Sequence, residues 1–206
     1  MDKPRKATYN QRRETSTLYF KNFDDSGEFY MRGAVCWPEG DSDGFAIMAG
    51  QQIDNGQVYV FEQVEFATIE DIRGKGQIIT YHGLASWLNR CWSKYYARLY
   101  FYHQSDTTHD RFRLQIYRSQ TIEPKPSFIE APITNEEDCR SLVVDFIRTG
   151  RVSIESGSEL ARQLEVSKYD DKAELPAVRA LGRLLAGLQR YPFARDHVEE
   201  EDIDIF

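Results

Sequence analysis

The chain lacks the features that mark several classes of protein. It has three cysteines in 206 residues, Cys36, Cys91 and Cys139, and their spacing is not that of a metal site. No apolar run approaches the ~20 residues that a membrane-spanning helix needs, and no apolar signal region follows the charged start at Met1. We therefore predict a cytoplasmic protein with packed, reduced thiols and no contact with a membrane.

Two motifs of catalysis are also missing. A phosphate-binding loop ends in Gly-Lys followed by Ser or Thr, and the nearest match, Gly74-Lys75-Gly76, has neither that residue nor a strand in front of it. The chain has no Gly-x-Ser-x-Gly element for a serine nucleophile. The sequence thus excludes an ATPase motor and gives no sign of a nucleophilic hydrolase.

The net charge of −7 is concentrated near the C-terminal end. Residues 196–206 hold six of the 33 acidic residues and no Lys or Arg, which leaves 27 acidic against 26 basic residues elsewhere. The head, from Lys3 to Arg13, holds five of those bases. We predict a flexible basic arm over residues 1–16, one domain over 17–193, and an acidic tail over 194–206 that is either solvated or docked on a partner or a basic groove.

The first part of the domain has the pattern of a three-stranded antiparallel meander. Three β-rich runs extend from Phe29 to Trp37, from Phe45 to Ile53 and from Gln57 to Phe66. The second and third are joined by Asp54-Asn55-Gly56, and Asn-Gly is a strong signal for a tight hairpin.

Helices and single strands alternate in the second part. One helix is predicted from five apolar residues that share a helical face: Leu84, Trp87, Leu88, Cys91 and Tyr95. A later helix is predicted to begin at a capping box formed by Thr134 and Glu137 and to end at Gly150. The other predicted elements are a strand over Leu99–His103, a helix over 107–118, a strand over Phe128–Pro132, an extended stretch at Val152–Ile154 and a helix from Ser158. This order predicts an α/β fold of the ribonuclease H-like type, in which the meander leads into parallel strands flanked by helices.

An acidic cluster stands at the start of the last predicted helix. Asp170, Asp171 and Glu174 directly precede the apolar helix pattern from Leu175 to Leu188. Oxygen-rich clusters bind Mg²⁺ or Mn²⁺, which activate water at a phosphodiester. The alternative is a helix N-cap with acids that the helix dipole favours, and this needs no metal.

Several segments between residues 28 and 190 together resemble the C-terminal nuclease domain of the large terminase subunit of tailed phages. The matching segments keep the family's order and spacing: Gly33–Pro38, Phe45–Gly50, Gln57–Phe61, Gly150–Ile154 with Leu160–Leu164, and Asp170-Asp171-x-x-Glu174 in place of a closing Asp-Asp-x-x-Asp-Ala. The resemblance implies a ribonuclease H-like fold and a metal-dependent DNA endonuclease of phage or prophage DNA packaging, using Mg²⁺ or Mn²⁺ in the cytoplasm of a bacterial host.

The same resemblance implies which residues hold the metal ions. The family has acids at the ends of its first and fourth strands, and at those positions this chain has Trp37 and His103. The third position keeps Asp170, Asp171 and Glu174, which would bind metal and activate water, helped by Asp43 or His103. Two interpretations stay open: the site is rebuilt from these atypical ligands, or the domain is a degenerate descendant of the nuclease.

Basic residues on two predicted helices are candidates for DNA contacts. Arg90 and Lys94 lie on the first helix, and Arg111 and Arg113 on the next. A solvated amphipathic face explains them equally well. Since the chain has no motor motif, either the ATPase motor is a separate chain, with that motor or the portal as candidate packaging partners, or the domain acts apart from packaging. The competing hypothesis is a non-catalytic module that binds DNA or another packaging protein.

Overall fold

The computed structural model describes residues 8–9, 17–20, 27–38, 43–66, 79–95, 100–104, 110, 125–133, 135–167 and 175–190. Its strands are β1 (Thr8–Tyr9), β2 (Thr17–Phe20), β3 (Gly27–Cys36), β4 (Gly44–Gln52), β5 (Val58–Phe66), β6 (Tyr100–His103), β7 (Ser127–Glu130) and β8 (Val152–Ser153). Its helices are α1 (Ile79–Tyr95), α2 (Glu136–Arg148), α3 (Glu159–Ser167) and α4 (Pro176–Arg190). The described helices include none that is long and apolar enough to cross a membrane.

One mixed sheet joins all the described strands. Its central order is β5-β4-β3-β6-β7, in which β3, β4 and β5 are antiparallel neighbours while β6 and β7 run parallel to β3. This is the predicted meander followed by parallel strands, so the predicted fold class is confirmed. Strand β8 adds to the far edge of β5, and β2 pairs with the first half of β3.

Alternation along β3 builds a core on both faces of the sheet. Phe29, Met31, Val35 and Trp37 pack on the face covered by α1, whereas Tyr30, Ala34 and Cys36 pack on the face covered by α2 and α4. A strand that is buried on both faces is what parallel pairing to a crossover strand requires. The sheet is therefore the middle layer of three, and β3 lies at its centre.

Short-range signals determine most of the element ends. The hairpin between β4 and β5 turns at Gly56, which has a φ of 73°. The predicted end of a helix at Gly150 is confirmed: its φ is 66°, and the amides of Gly150 and Arg151 donate to the carbonyls of Ile147 and Phe146.

The predicted capping box at the start of α2 is wrong. The N-cap is Asn135, whose side-chain oxygen accepts a hydrogen bond of 2.8 Å from the amide of Glu137. Asparagine caps helices at least as well as threonine, so the helix begins one residue later than the Thr134 pattern indicates. The predicted helix over 107–118 lies outside the described residues except for Asp110.

The three cysteines occupy the interior as predicted. Cys36, Cys91 and Cys139 are free thiols and all are buried. Burial raises the pKa of Cys91 to about 12 and that of Cys139 to about 11, so both are protonated at neutral pH. Trp37 and Trp87 are each 1% exposed.

Candidate functional site

The carboxyl ends of β3 and β6 lie side by side. The parallel register pairs Gly33 with Phe101 and Ala34 with Tyr102, so the residues that follow on each strand are also neighbours. In an open α/β sheet, ligands bind at such strand ends. Trp37 and His103, the two residues that the resemblance assigned to acid positions, are therefore brought together by the fold.

Trp37 and His103 are joined by a buried hydrogen bond. The indole Nε1–H of Trp37 donates to Nδ1 of His103 over 3.2 Å, and each residue is 1% exposed. The two rings meet edge to face with centroids 6.2 Å apart, and Phe128 packs against both of them. The pair forms one apolar, closed contact between the two strand ends.

This hydrogen bond determines which form of the imidazole is present. Because Nδ1 accepts, the neutral ring carries its proton on Nε2. Neither nitrogen then offers a lone pair to a cation, and indole offers none at all. Among the described residues no group of three or more His, Cys, Asp or Glu side chains is placed to hold a metal ion. Trp37 and His103 therefore do not fit a two-metal site, which needs several converging carboxylates.

Asp43 lies at the same edge of the sheet, directly before β4. Cys36 of β3 is paired with Phe45, so Asp43 stands two residues beyond that pair, close to the end of β3. Its negative charge reaches Glu65 near the end of β5, since it contributes to raising the pKa of that carboxyl. The edge therefore carries described carboxylates beside the Trp37–His103 pair, on the β4 and β5 side.

Glu65 provides a pH-dependent test of this edge. Desolvation, the charge of Glu159 and the charge of Asp43 raise the pKa of Glu65 above its usual range. A carboxyl with a raised folded-state pKa costs stability once it ionises, so stability falls as the pH rises through the unfolded and then the folded pKa. We expect Glu65→Gln to be more stable than wild type at pH 7, by no more than ~0.5 kcal/mol because the side chain is exposed.

The measurement is thermal unfolding of wild type and Glu65→Gln from pH 3 to pH 8. The difference in melting temperature should disappear at pH 3, where the carboxyl is protonated in both states. A variant that is less stable than wild type at pH 7 would show that Glu65 makes a favourable charged contact instead.

The two described candidates for DNA contact differ in their surroundings. Arg90 and Lys94 are both exposed on α1. The ammonium of Lys94 lies 2.5 Å from Oε1 of Glu62, and this same oxygen accepts a hydrogen bond from the hydroxyl of Tyr95. The charge of Lys94 is thus already partly balanced within the domain.

The other predicted site residues lie outside the described residues. These are Asp170, Asp171 and Glu174 of the acidic cluster, and Arg111 and Arg113 of the second basic group. Helix α4 begins at Pro176, just after the acidic cluster in sequence. Their roles stay predictions.

Sequence reasoning missed one group at the strand ends. Arg183, in the middle of α4, is 3% exposed and donates to the carbonyl of Val35 over 3.3 Å and to Oε1 of Gln104 over 2.7 Å. The available signal was an arginine at each of two positions four residues apart, Arg179 and Arg183, in a helix otherwise made mostly of apolar and small residues. An isolated helix would be expected to turn these charges to solvent.

No family model matches the chain, and no curated protein matches its sequence. In structure it is similar to the large terminase nuclease of the thermophilic phage G20c, with a TM-score of 0.48 and 14% identity over 86% of this chain and 90% of that one. It is also similar to the human cytomegalovirus terminase nuclease domain, with a TM-score of 0.46 and 13% identity over 77% and 82% of the two chains. A fowlpox virus Holliday junction resolvase is similar with a TM-score of 0.40 and 7% identity, over 78% of this chain and 99% of that one.

Proposed function

We propose that this chain is a terminase-type nuclease domain that has lost two-metal cleavage and acts in phage or prophage DNA packaging by binding DNA. The single observation that carries the loss of cleavage is the hydrogen bond between Trp37 and His103. This support depends on the resemblance, which assigns the family's two missing acids to Trp37 and His103. The hydrogen bond engages Nδ1 of His103, the nitrogen that would otherwise be open to a metal ion. Binding to DNA is supported by the motif order of the sequence and by the exposed Arg90 on α1.

The second candidate is a metal-dependent DNA endonuclease with a relocated site. It is favoured by Asp43, which stands at the same strand-end edge and is close enough to Glu65 to affect its pKa. In this candidate Asp170, Asp171 and Glu174 would hold Mg²⁺ or Mn²⁺ together with Asp43, and the bound ion would supply a Lewis acid and an activated water. His103 would have to give up its contact with Trp37 to take part.

Plasmid cleavage separates the two candidates. Supercoiled plasmid is incubated with Mn²⁺ and either wild type or the triple variant Asp170→Ala/Asp171→Ala/Glu174→Ala. We expect no nicking by wild type above the level of the triple variant. Cleavage by wild type that the triple variant abolishes would instead establish the endonuclease and refute the loss of two-metal chemistry.

Binding to DNA is measured in the same preparations by gel shift over a range of salt concentrations. Contacts to phosphates release counterions, so the logarithm of the association constant should fall steeply and linearly with the logarithm of salt concentration. Absence of a shift at low salt would leave a protein of the packaging apparatus as the partner and refute the DNA-binding proposal.

Arg90 and Lys94 are expected to contribute unequally to DNA binding. Arg90→Ala should weaken binding and reduce the salt slope by roughly 1, which is the effect of losing one phosphate contact. Lys94→Ala should change the slope by less, because Glu62 already competes with phosphate for the ammonium. Equal effects of the two substitutions would show that the ion pair opens at no cost when DNA binds, and Glu62→Gln is the matched control that leaves Lys94 unpaired.

A further inference from the structure

A buried guanidinium links three elements at the candidate site. One terminal nitrogen of Arg183 on α4 donates to the carbonyl oxygen of Val35, the last residue but one of β3. The other donates to the side-chain oxygen of Gln104, which directly follows β6. The ends of the two central parallel strands are therefore joined to α4 through one side chain that is 3% exposed.

The charge of this guanidinium is not balanced by a carboxylate in the described part of the chain. The ion pairs found among those residues involve Lys94, Arg140, Arg148 and Arg162. The thiol of Cys139 is affected by the charge of Arg183, but burial is the larger effect and raises the pKa of that thiol to about 11, so it is neutral at pH 7. Burying a charge without a counter-ion has an unfavourable desolvation free energy, which hydrogen bonds to the charged group partly offset.

The partners of Arg183 are of the kind that hard metal cations choose. Backbone carbonyl and side-chain amide oxygens coordinate divalent cations in proteins. Here two such oxygens, from the ends of two adjacent strands, converge on a positive charge carried by the final helix. The two oxygens at this junction of β3, β6 and α4 would suit a bound cation, and the guanidinium of Arg183 takes that place.

We propose that Arg183 is the resident cation of this junction and holds the ends of β3 and β6 against α4 without a divalent metal ion. The positive charge of the side chain is needed, and not merely its volume. Arg183 is a positioning residue in this proposal, which does not depend on whether the domain binds DNA.

The test compares thermal unfolding of the whole chain as wild type, Arg183→Lys, Arg183→Met and Arg190→Met, each in EDTA and in Mn²⁺. Met keeps most of the volume and removes the donors and the charge, so the melting temperature should fall by about 5–10 °C, because both hydrogen bonds to the strand ends are lost. Lys keeps the charge and should recover roughly half of that loss. Arg190, which is exposed at the end of the same helix, is the matched control and should change the melting temperature by less than about 2 °C.

Wild type should melt within about 1 °C in EDTA and in Mn²⁺, because a metal that bound the folded state would raise its stability by mass action. An increase of several degrees in Mn²⁺ would overturn the proposal. The proposal also fails if Arg183→Met is as stable as Arg183→Lys, since apolar packing would then replace the charge without loss.

Discussion

Replacing Trp37 with alanine is expected to lower the free energy of unfolding by about 3–5 kcal/mol, a large part of the stability of an ordinary domain. The indole is 1% exposed and lies between Phe66, Phe128 and His103. Its removal leaves a cavity at the end of β3 and takes away the donor that His103 uses. Urea unfolding followed by circular dichroism measures the change, and the slope with denaturant checks that the transition stays two-state.

Trp37→Phe separates the hydrogen bond from the packing. Most of the ring area remains, but the buried Nδ1 of His103 loses its Nε1–H donor, which should cost about 1–3 kcal/mol. In a double-mutant cycle with His103→Leu, the two substitutions should show a coupling of roughly 1 kcal/mol.

The matched control is Trp92→Phe on α1, because Trp92 is only partly buried and packs against the same cluster. This substitution is expected to cost less than about 1.5 kcal/mol. Additive effects of Trp37→Phe and His103→Leu would contradict the pairing of the two strand ends, and with it the observation on which the proposed loss of metal chemistry depends.

Gly182→Ala is expected to destabilise the domain by about 1–3 kcal/mol or more, although alanine is the better helix former. The new Cβ would lie 2.5 Å from Cβ of Cys139, 2.7 Å from its Cα and 2.9 Å from its carbonyl oxygen. Two of these atoms belong to the backbone of α2, so the two helices would have to move apart. Such a movement would also disturb Arg183, the next residue on α4.

Gly83→Ala is the matched control for this prediction. Gly83 lies in α1 and a Cβ there meets nothing within 4 Å. The same substitution should therefore stabilise the domain by about 0.5–1 kcal/mol, because a helical glycine is replaced without a clash. Melting temperatures of the two variants should shift in opposite directions from wild type. A loss of stability in both would show that the higher helix propensity of alanine does not stabilise α1 at position 83.

The strand ends of β3 and β6 are joined by side chains that are poor ligands for a pair of divalent ions. Two adjacent divalent ions are tolerated only where several carboxylates offset their repulsion. The residues described at this edge instead place an aromatic hydrogen-bonded pair on one face of the sheet and a guanidinium, bound by neutral oxygens, beside the other. Both arrangements join the ends of β3 and β6 through hydrogen bonds.

Features that depend on near neighbours in the chain could be predicted from the amino-acid sequence. The hairpin at Gly56, the helix end at Gly150 and the meander from β3 to β5 follow from turn chemistry and alternation over a few residues. These local signals also predicted the order of the described elements from β3 onward, and hence the fold class, but neither β1, which lies within the predicted arm, nor β2. Even there a choice between adjacent caps, Thr134 or Asn135, needed the structure, because both residues can accept the same kind of hydrogen bond.

Contacts between residues far apart in the chain could not be predicted, because they depend on the fold as a whole. Trp37 and His103 are 66 positions apart, and their contact depends on the parallel register of β3 and β6, which no local pattern encodes. The burial of Arg183 likewise depends on α4 being covered by neighbours and ending up against Val35 and Gln104. Helix periodicity predicts which face of a helix is apolar. The free energy of burying a charged side chain depends instead on the groups that the whole fold places around it.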